Sequence, residues 1–95
     1  MAAYIIVDVE ITDPVAYAAY IRVVPKTLAH FGGTFLVRGG KAMTLEGSWS
    51  PKRVVVLEFP SFEHARAWWA SEEYRAPKAL RQSASVTDMI LVEGV

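Results

Sequence analysis

Gly32-Gly33-Thr34-Phe35-Leu36-Val37-Arg38-Gly39-Gly40 is a short β-type run held between two glycine pairs and ending in an arginine. Glycine pairs occur where the backbone needs positive φ or close approach, so both ends of the run read as sharp turns. Leu45-Glu46-Gly47-Ser48-Trp49 follows on the connection to the next apolar segment. Working outward, Ala3 to Ile11 alternates, with Ile5, Val7, Val9 and Ile11 on one side and Tyr4, Ile6, Asp8 and Glu10 on the other. That is a strand with one aliphatic and one mixed face. Asp13-Pro14 reads as an N-cap followed by an N1 proline. Tyr17, Tyr20, Ile21, Val24, Leu28 and Phe31 then recur at helical spacing, and Gly32-Gly33 closes that helix. Pro25 lies inside it and predicts a bend or break.

Downstream, Ala42 to Glu46 reads as an irregular extension of the second strand. Arg53 to Phe59 is a valine-rich third strand stopped by Pro60. Ser61 caps a helix running to about Ala70, and Ser71 with Glu72-Glu73 caps a further short helix carrying Tyr74, Leu80 and Arg81. Ser85 to Glu93 is the last strand. The order βαββαβ predicts an α+β, ferredoxin-like domain: a four-stranded antiparallel sheet with two helices on one face, spanning residues 1–95.

Helices on one face leave the other uncovered. The third and fourth strands carry large apolar groups on both faces: Val55, Leu57 and Phe59 against Val54 and Val56, then Ile90 and Val92 against Met89 and Leu91. The chain is 53% hydrophobic and 12% aromatic, more apolar surface than a domain of 95 residues easily hides. The expectation is a homodimer packed sheet against sheet.

Lys+Arg and Asp+Glu are ten each, with no basic stripe, which argues against nucleic acid and membrane surfaces as partners. No apolar run approaches the ~20 residues of a membrane span. The stretch Ala2–Val7 lacks a basic flank and is interrupted by Asp8, so it does not read as a signal peptide. There is no cysteine, hence no disulfide, thiol nucleophile or thiolate metal site. A cytoplasmic location is expected.

The combination Tyr17–Tyr20, Gly32-Gly33, Arg38-Gly39-Gly40, Glu46-Gly47-x-Trp49, Arg53, Glu58-Phe59-Pro60-Ser61, Ala65, Trp68, Ser71-x-x-Tyr74 and Arg81 resembles a family known as domain of unknown function 1330, over essentially the whole chain. The resemblance implies a dimeric α/β barrel of ferredoxin-like subunits. That superfamily also holds small monooxygenases, lactone isomerases and haem-binding relatives. The family itself has no settled activity. Trp69 stands where a tyrosine or another aromatic is common in it.

Candidate chemistry centres on charged residues near the second and third strands. Arg38 and Arg53 offer guanidinium forks suited to a carboxylate or enolate. Glu58 and Asp8 are the candidate proton acceptors. Trp49 would wall a pocket or anchor a dimer. Tyr17, Tyr20 and Tyr74 offer hydroxyls as donors or acids, or serve only as core residues. The plainer alternative makes the arginines and glutamates, Glu46 included, a network pinning the glycine-rich loop. Arg53 and Glu58 are five apart and point to opposite faces of a regular strand, so they share a pocket only across a bulge or at a rim. His30 and His64 lack partners at metal-ligand spacing, so no metal and no cofactor is expected. Nothing matches a nucleophile elbow or a phosphate loop.

Three readings follow. One is a cofactor-independent enzyme acting on a small anionic or aromatic metabolite by proton transfer or oxygenation. Another is a non-catalytic small-molecule-binding dimer. The third is a purely structural dimer.

Overall fold

A computed structural model describes residues 1–95. The elements are β1 (Ala3–Ile11), α1 (Pro14–Ala29), β2 (Thr34–Arg38), β3 (Val54–Phe59), α2 (Phe62–Ala70), α3 (Glu72–Ala84) and β4 (Ser85–Glu93). The antiparallel sheet has the order β2-β3-β1-β4, the ferredoxin-like arrangement. Three helices, rather than two, cover one face, because the second crossover is split at Ser71. That residue ends α2 and caps α3: its Oγ donates to Trp68 O (2.8 Å) and accepts from Tyr74 N (3.1 Å). The helix after it is thirteen residues long, not a short turn. Asp13 and Ser61 cap α1 and α2 in the same way, accepting from Ala16 N and His64 N.

One local expectation fails, and of the bend or break expected at Pro25 the break does not occur. Ala42–Glu46 forms no strand, and the connection from Gly39 to Arg53 crosses without regular structure. Helix α1 also runs through Pro25 unbroken. The physical consequence of that proline falls on the site described below.

The core lies between sheet and helices. Ile5, Val7, Val9, Val55, Leu57 and Phe59 meet Tyr17, Tyr20, Val24, Leu28, Trp68 and Tyr74, all buried. Trp68 is its largest fully enclosed side chain. It lies against Tyr74 with ring centroids 4.0 Å apart, and its Nε1 donates to Thr27 Oγ1 (3.0 Å). Adjacent Trp69 turns outward and is 43% exposed, as a ~100° step along a helix requires. The opposite sheet face is bare: Leu36, Val37, Val86, Ile90 and Val92 are exposed.

Candidate functional site

Arg38 owes its direction to a defect in the sheet. Thr34 pairs with Glu58 and Phe35 with Leu57, but Val37 then pairs with Val56 and Arg38 with Val55. Leu36 is the extra residue of a β-bulge. In a regular strand Arg38 would share the bare face with Thr34. The bulge flips the parity and turns Arg38 towards the helices, beside Val55 and over the Phe35 ring (4.1 Å). Gly39 follows with φ +74°, and a Cβ there would lie 2.5 Å from Arg53 Nη1. Only glycine both makes this turn and leaves room for the second guanidinium.

Pro25 supplies the next constraint. It has no N–H to offer Ile21 O, four residues back on α1. Arg38 Nη2 donates to that carbonyl instead, in a long hydrogen bond of 3.4 Å. Replacing Pro25 with alanine restores the helical donor. The expected result is a rise in stability of about 1–3 kcal/mol in urea unfolding. A loss of stability would mean that the ring's own contacts outweigh the missing bond.

Arg38 and Arg53 border a cavity of about 30 Å³ between sheet and helices, and Arg81 of α3 borders it from the other side. Its aromatic wall is Tyr17, Tyr20, Phe35 and Trp68. The space suits one or two waters or a small anionic head. Arg81 is only 5% exposed, and its Nε donates to the neutral Tyr74 hydroxyl (3.2 Å). Tyr74 and Tyr20 share a hydrogen bond of 2.7 Å. Arg53 Nε is buried without any partner. The ion pairs of this chain are His30–Glu73, Arg66–Glu63 and Arg75–Glu72, so none of these three guanidiniums is matched by a carboxylate. Guanidiniums do not deprotonate in proteins, so the cost of an unpaired buried cation falls on Arg81 and on the enclosed Nε of half-buried Arg53, whereas Arg38 is exposed.

Tyr17 and Tyr20 stay protonated. Burial raises Tyr17 above its ordinary 10.0, against the pull of Arg53, Arg81 and Arg38, so this hydroxyl lies in the field of all three cations. Burial and the Tyr74 contact push Tyr20 up much further. At neutral pH the cavity therefore presents cations and hydroxyls, with no base among its lining residues.

The expected proton acceptors lie elsewhere. Glu58 faces Tyr4 and Thr34 across the bare face, opposite the arginines. Asp8 shares that face. It accepts from Trp49 Nε1 (2.9 Å) and Lys52 N (2.9 Å), fastening the β2–β3 connection to the sheet. Trp49 is 62% exposed on that connection, and Glu46 is exposed within it. Thus Arg38, Arg53, Tyr17 and Tyr20 come together at the cavity, Tyr74 does not line it but is bonded to its Tyr20 and Arg81, and Glu58, Asp8 and Trp49 do not join them. Strand parity separates the two sets. His30 is bonded to Glu73 and His64 to Ser61, both away from the cavity. No group of three or more histidine, aspartate or glutamate side chains is placed to hold a metal ion.

The indole and amide donors hold Asp8 below its ordinary carboxylate range of 3.8. A depressed folded value means the contribution is present above the unfolded pKa and is lost as pH falls through the folded one. Acidification through that lowered value, below 3.8, therefore releases Trp49. The expected result is a change of tryptophan emission there, absent in Trp49→Phe. A flat emission down to about pH 2, with the fold retained by circular dichroism, contradicts the fastening role.

Arg81 and Trp68 were not among the residues singled out for chemistry. The available signal was position: Arg81 stands seven residues after Tyr74, two turns along the same helix face.

A family model described as "Domain of unknown function (DUF1330)" matches residues 2–95. No curated relative matches the chain. Among solved structures, the RPA0582 protein of unknown function from Rhodopseudomonas palustris is similar at 22% identity and a TM-score of 0.77, covering 99% of this chain and 82% of that one. SnoaB, a cofactor-independent oxygenase from Streptomyces nogalater, is similar at 11% identity and TM-score 0.67, covering 99% and 93%. Rv0793 from Mycobacterium tuberculosis is similar at 11% identity and TM-score 0.58, covering 100% and 96%. These likenesses show a shared fold.

Proposed function

The chain belongs to the domain of unknown function 1330 family, a membership that carries no activity, and from the cavity itself we propose that the protein binds a small planar anion, a phenolate, enolate or aromatic carboxylate. The observation that carries this reading is the convergence of Arg38, Arg53 and Arg81 on one cavity without a carboxylate. Arg81 is buried with a neutral partner, and an incoming anion supplies its missing counter-charge. Tyr17 and Tyr20 act as donors to the anionic head, the part of the ligand that a space of about 30 Å³ admits.

A site of cations without a base favours substrates that ionise readily, since three guanidiniums stabilise the enolate or phenolate form. This supports proton loss next to a carbonyl, with the proton leaving to water. It also supports cofactor-free oxygenation, the class to which the similar SnoaB is assigned. In an oxygenation of this kind a ring CH2 and O2 would become C=O and water: one oxygen atom becomes the carbonyl oxygen on the ring carbon, the other leaves as water, and the substrate supplies all four electrons.

Calorimetry at low salt with 1-hydroxy-2-naphthoate and its neutral carboxamide tests the anion reading. Saturable binding of the acid, at least ten-fold tighter than the amide, is expected. Equal affinities overturn it. Oxygen uptake with 2-tetralone, a two-ring ketone whose ring CH2 ionises to an enolate, separates oxygenation from carriage: binding without consumption favours a non-catalytic binding protein.

The bare sheet face supports a second copy as its cover. Ile6, Val54, Val56, Ile90 and Val92 form an apolar strip across β3, β1 and β4, unmatched by any element of this chain. A two-fold dimer buries it against itself. Light scattering at micromolar concentration is expected to give twice the 10.5 kDa chain mass, and Val56→Asp to give the single-chain mass. A wild-type monomer contradicts the dimer.

A further inference from the structure

The central cavity is too small for the ligand it calls for. About 30 Å³ admits a head group, whereas sites for whole metabolites run from roughly 300 to 1,000 Å³. A groove of about 540 Å³ opens next to it, between α2, α3 and the edge strand β4. Two residues, Arg81 and Met89, line both spaces. The buried guanidinium is therefore the wall between an inner seat and an outer chamber. The groove side of that wall is amphipathic: Trp69 and Leu91 give apolar surface, while Gln82, Ser85 and Thr87 give hydrogen-bonding groups. Ser85 and Thr87 hydroxyls are 3.0 Å apart.

Resting on the anion reading above, we propose that the ligand enters and lodges through this groove. Its ring system lies between Trp69 and β4, and its anionic head meets Arg81 at the mouth of the inner seat. The ligand class narrows accordingly: a ring of two or more fused cycles with one anionic group at its end and a hydroxyl or carbonyl at its edge for Thr87 and Gln82. A simple acid such as acetate fills the seat and leaves the groove empty, and benzoate puts only a single ring into it. Met89 is the flexible side chain beside the head, and its soft, unbranched form suits a door that moves aside.

Calorimetric titration of the full chain with 1-hydroxy-2-naphthoate, alongside tryptophan fluorescence, tests the groove. Thr87→Phe and Gln82→Phe fill it from the strand and from the exposed side of α3. Both are expected to weaken binding at least ten-fold, and the fluorescence response is expected to disappear in Trp69→Phe. Benzoate is expected to bind at least ten-fold more weakly than the naphthoate. If both filling variants, shown folded by circular dichroism, bind as wild type does while Arg81→Met does not bind, the ligand enters beside Arg38. The groove assignment then falls and the anion reading stands. If Arg81→Met binds as wild type does, or if the wild type shows no saturable binding of the naphthoate, both fall.

Discussion

Arg81→Met is expected to make the protein more stable and to remove its capacity for anions. The guanidinium is 5% exposed and has no carboxylate partner, so the fold carries its desolvation without a matching ion. Methionine has similar length and no charge. A gain of about 1–3 kcal/mol is expected, by analogy with apolar replacement of buried ions. For a domain of this size each kcal/mol moves the melting temperature by roughly 4–8 °C. Tyr74 loses the Arg81 donor but keeps its bond to Tyr20, so no buried hydroxyl is orphaned. Loss of a buried charge-assisted contact costs about 2–5 kcal/mol in binding, at least ~30-fold in affinity for 1-hydroxy-2-naphthoate. Stability and binding moving in opposite directions is the mark of a residue kept for a ligand. A melt and a titration on one variant read both. A less stable protein with unchanged binding makes Arg81 a strut.

Trp68→Ala is expected to bring the protein close to unfolding. Its indole is fully enclosed, stacked on Tyr74 and 5.6 Å from the Phe59 ring. Truncation of such a side chain costs about 3–5 kcal/mol, against a total of roughly 5–15 kcal/mol for a small domain. The melting temperature falls by at least ~12 °C on the same scale. Thr27 Oγ1 keeps its bond to Val24 O, so the loss is one of packing and not of a stranded polar group. Trp69→Ala, on the outward side, is expected to shift the melt little. Equal effects at both positions contradict the burial asymmetry.

Much of the architecture was legible in the residues. The alternation of β1, the valine run of β3, and the Asp13, Ser61 and Ser71 caps each state a local preference that the tertiary structure keeps. At Pro25 the missing donor and the ring predict a bend or break, and the break does not occur. Here the helix continues, and Arg38 occupies the carbonyl that the proline frees.

The site was legible only in part, and the reason is parity. Counting by twos separates Arg53 from Glu58 correctly. The same counting puts Arg38 on the bare face, because the Leu36 bulge has no signature in the residue types. Asp8 reads as chemical because it is an acid on a strand, and Trp49 because it is an aromatic on the connection between the arginine-bearing strands. They are bonded to each other across the sheet from the cavity. Arg81 was hidden among the charges of α3, where only its distance from Tyr74 marks it as inward.

The most direct measurement is a crystal structure with 4-bromo-1-hydroxy-2-naphthoate, located by bromine anomalous scattering. The account predicts carboxylate oxygens within ~3 Å of the Arg81 guanidinium and of Arg53 Nε, with the bromonaphthyl ring in the groove beside Trp69. A probe bound on the bare face near Asp8 and Trp49, with the three guanidiniums left without an anion, would contradict it.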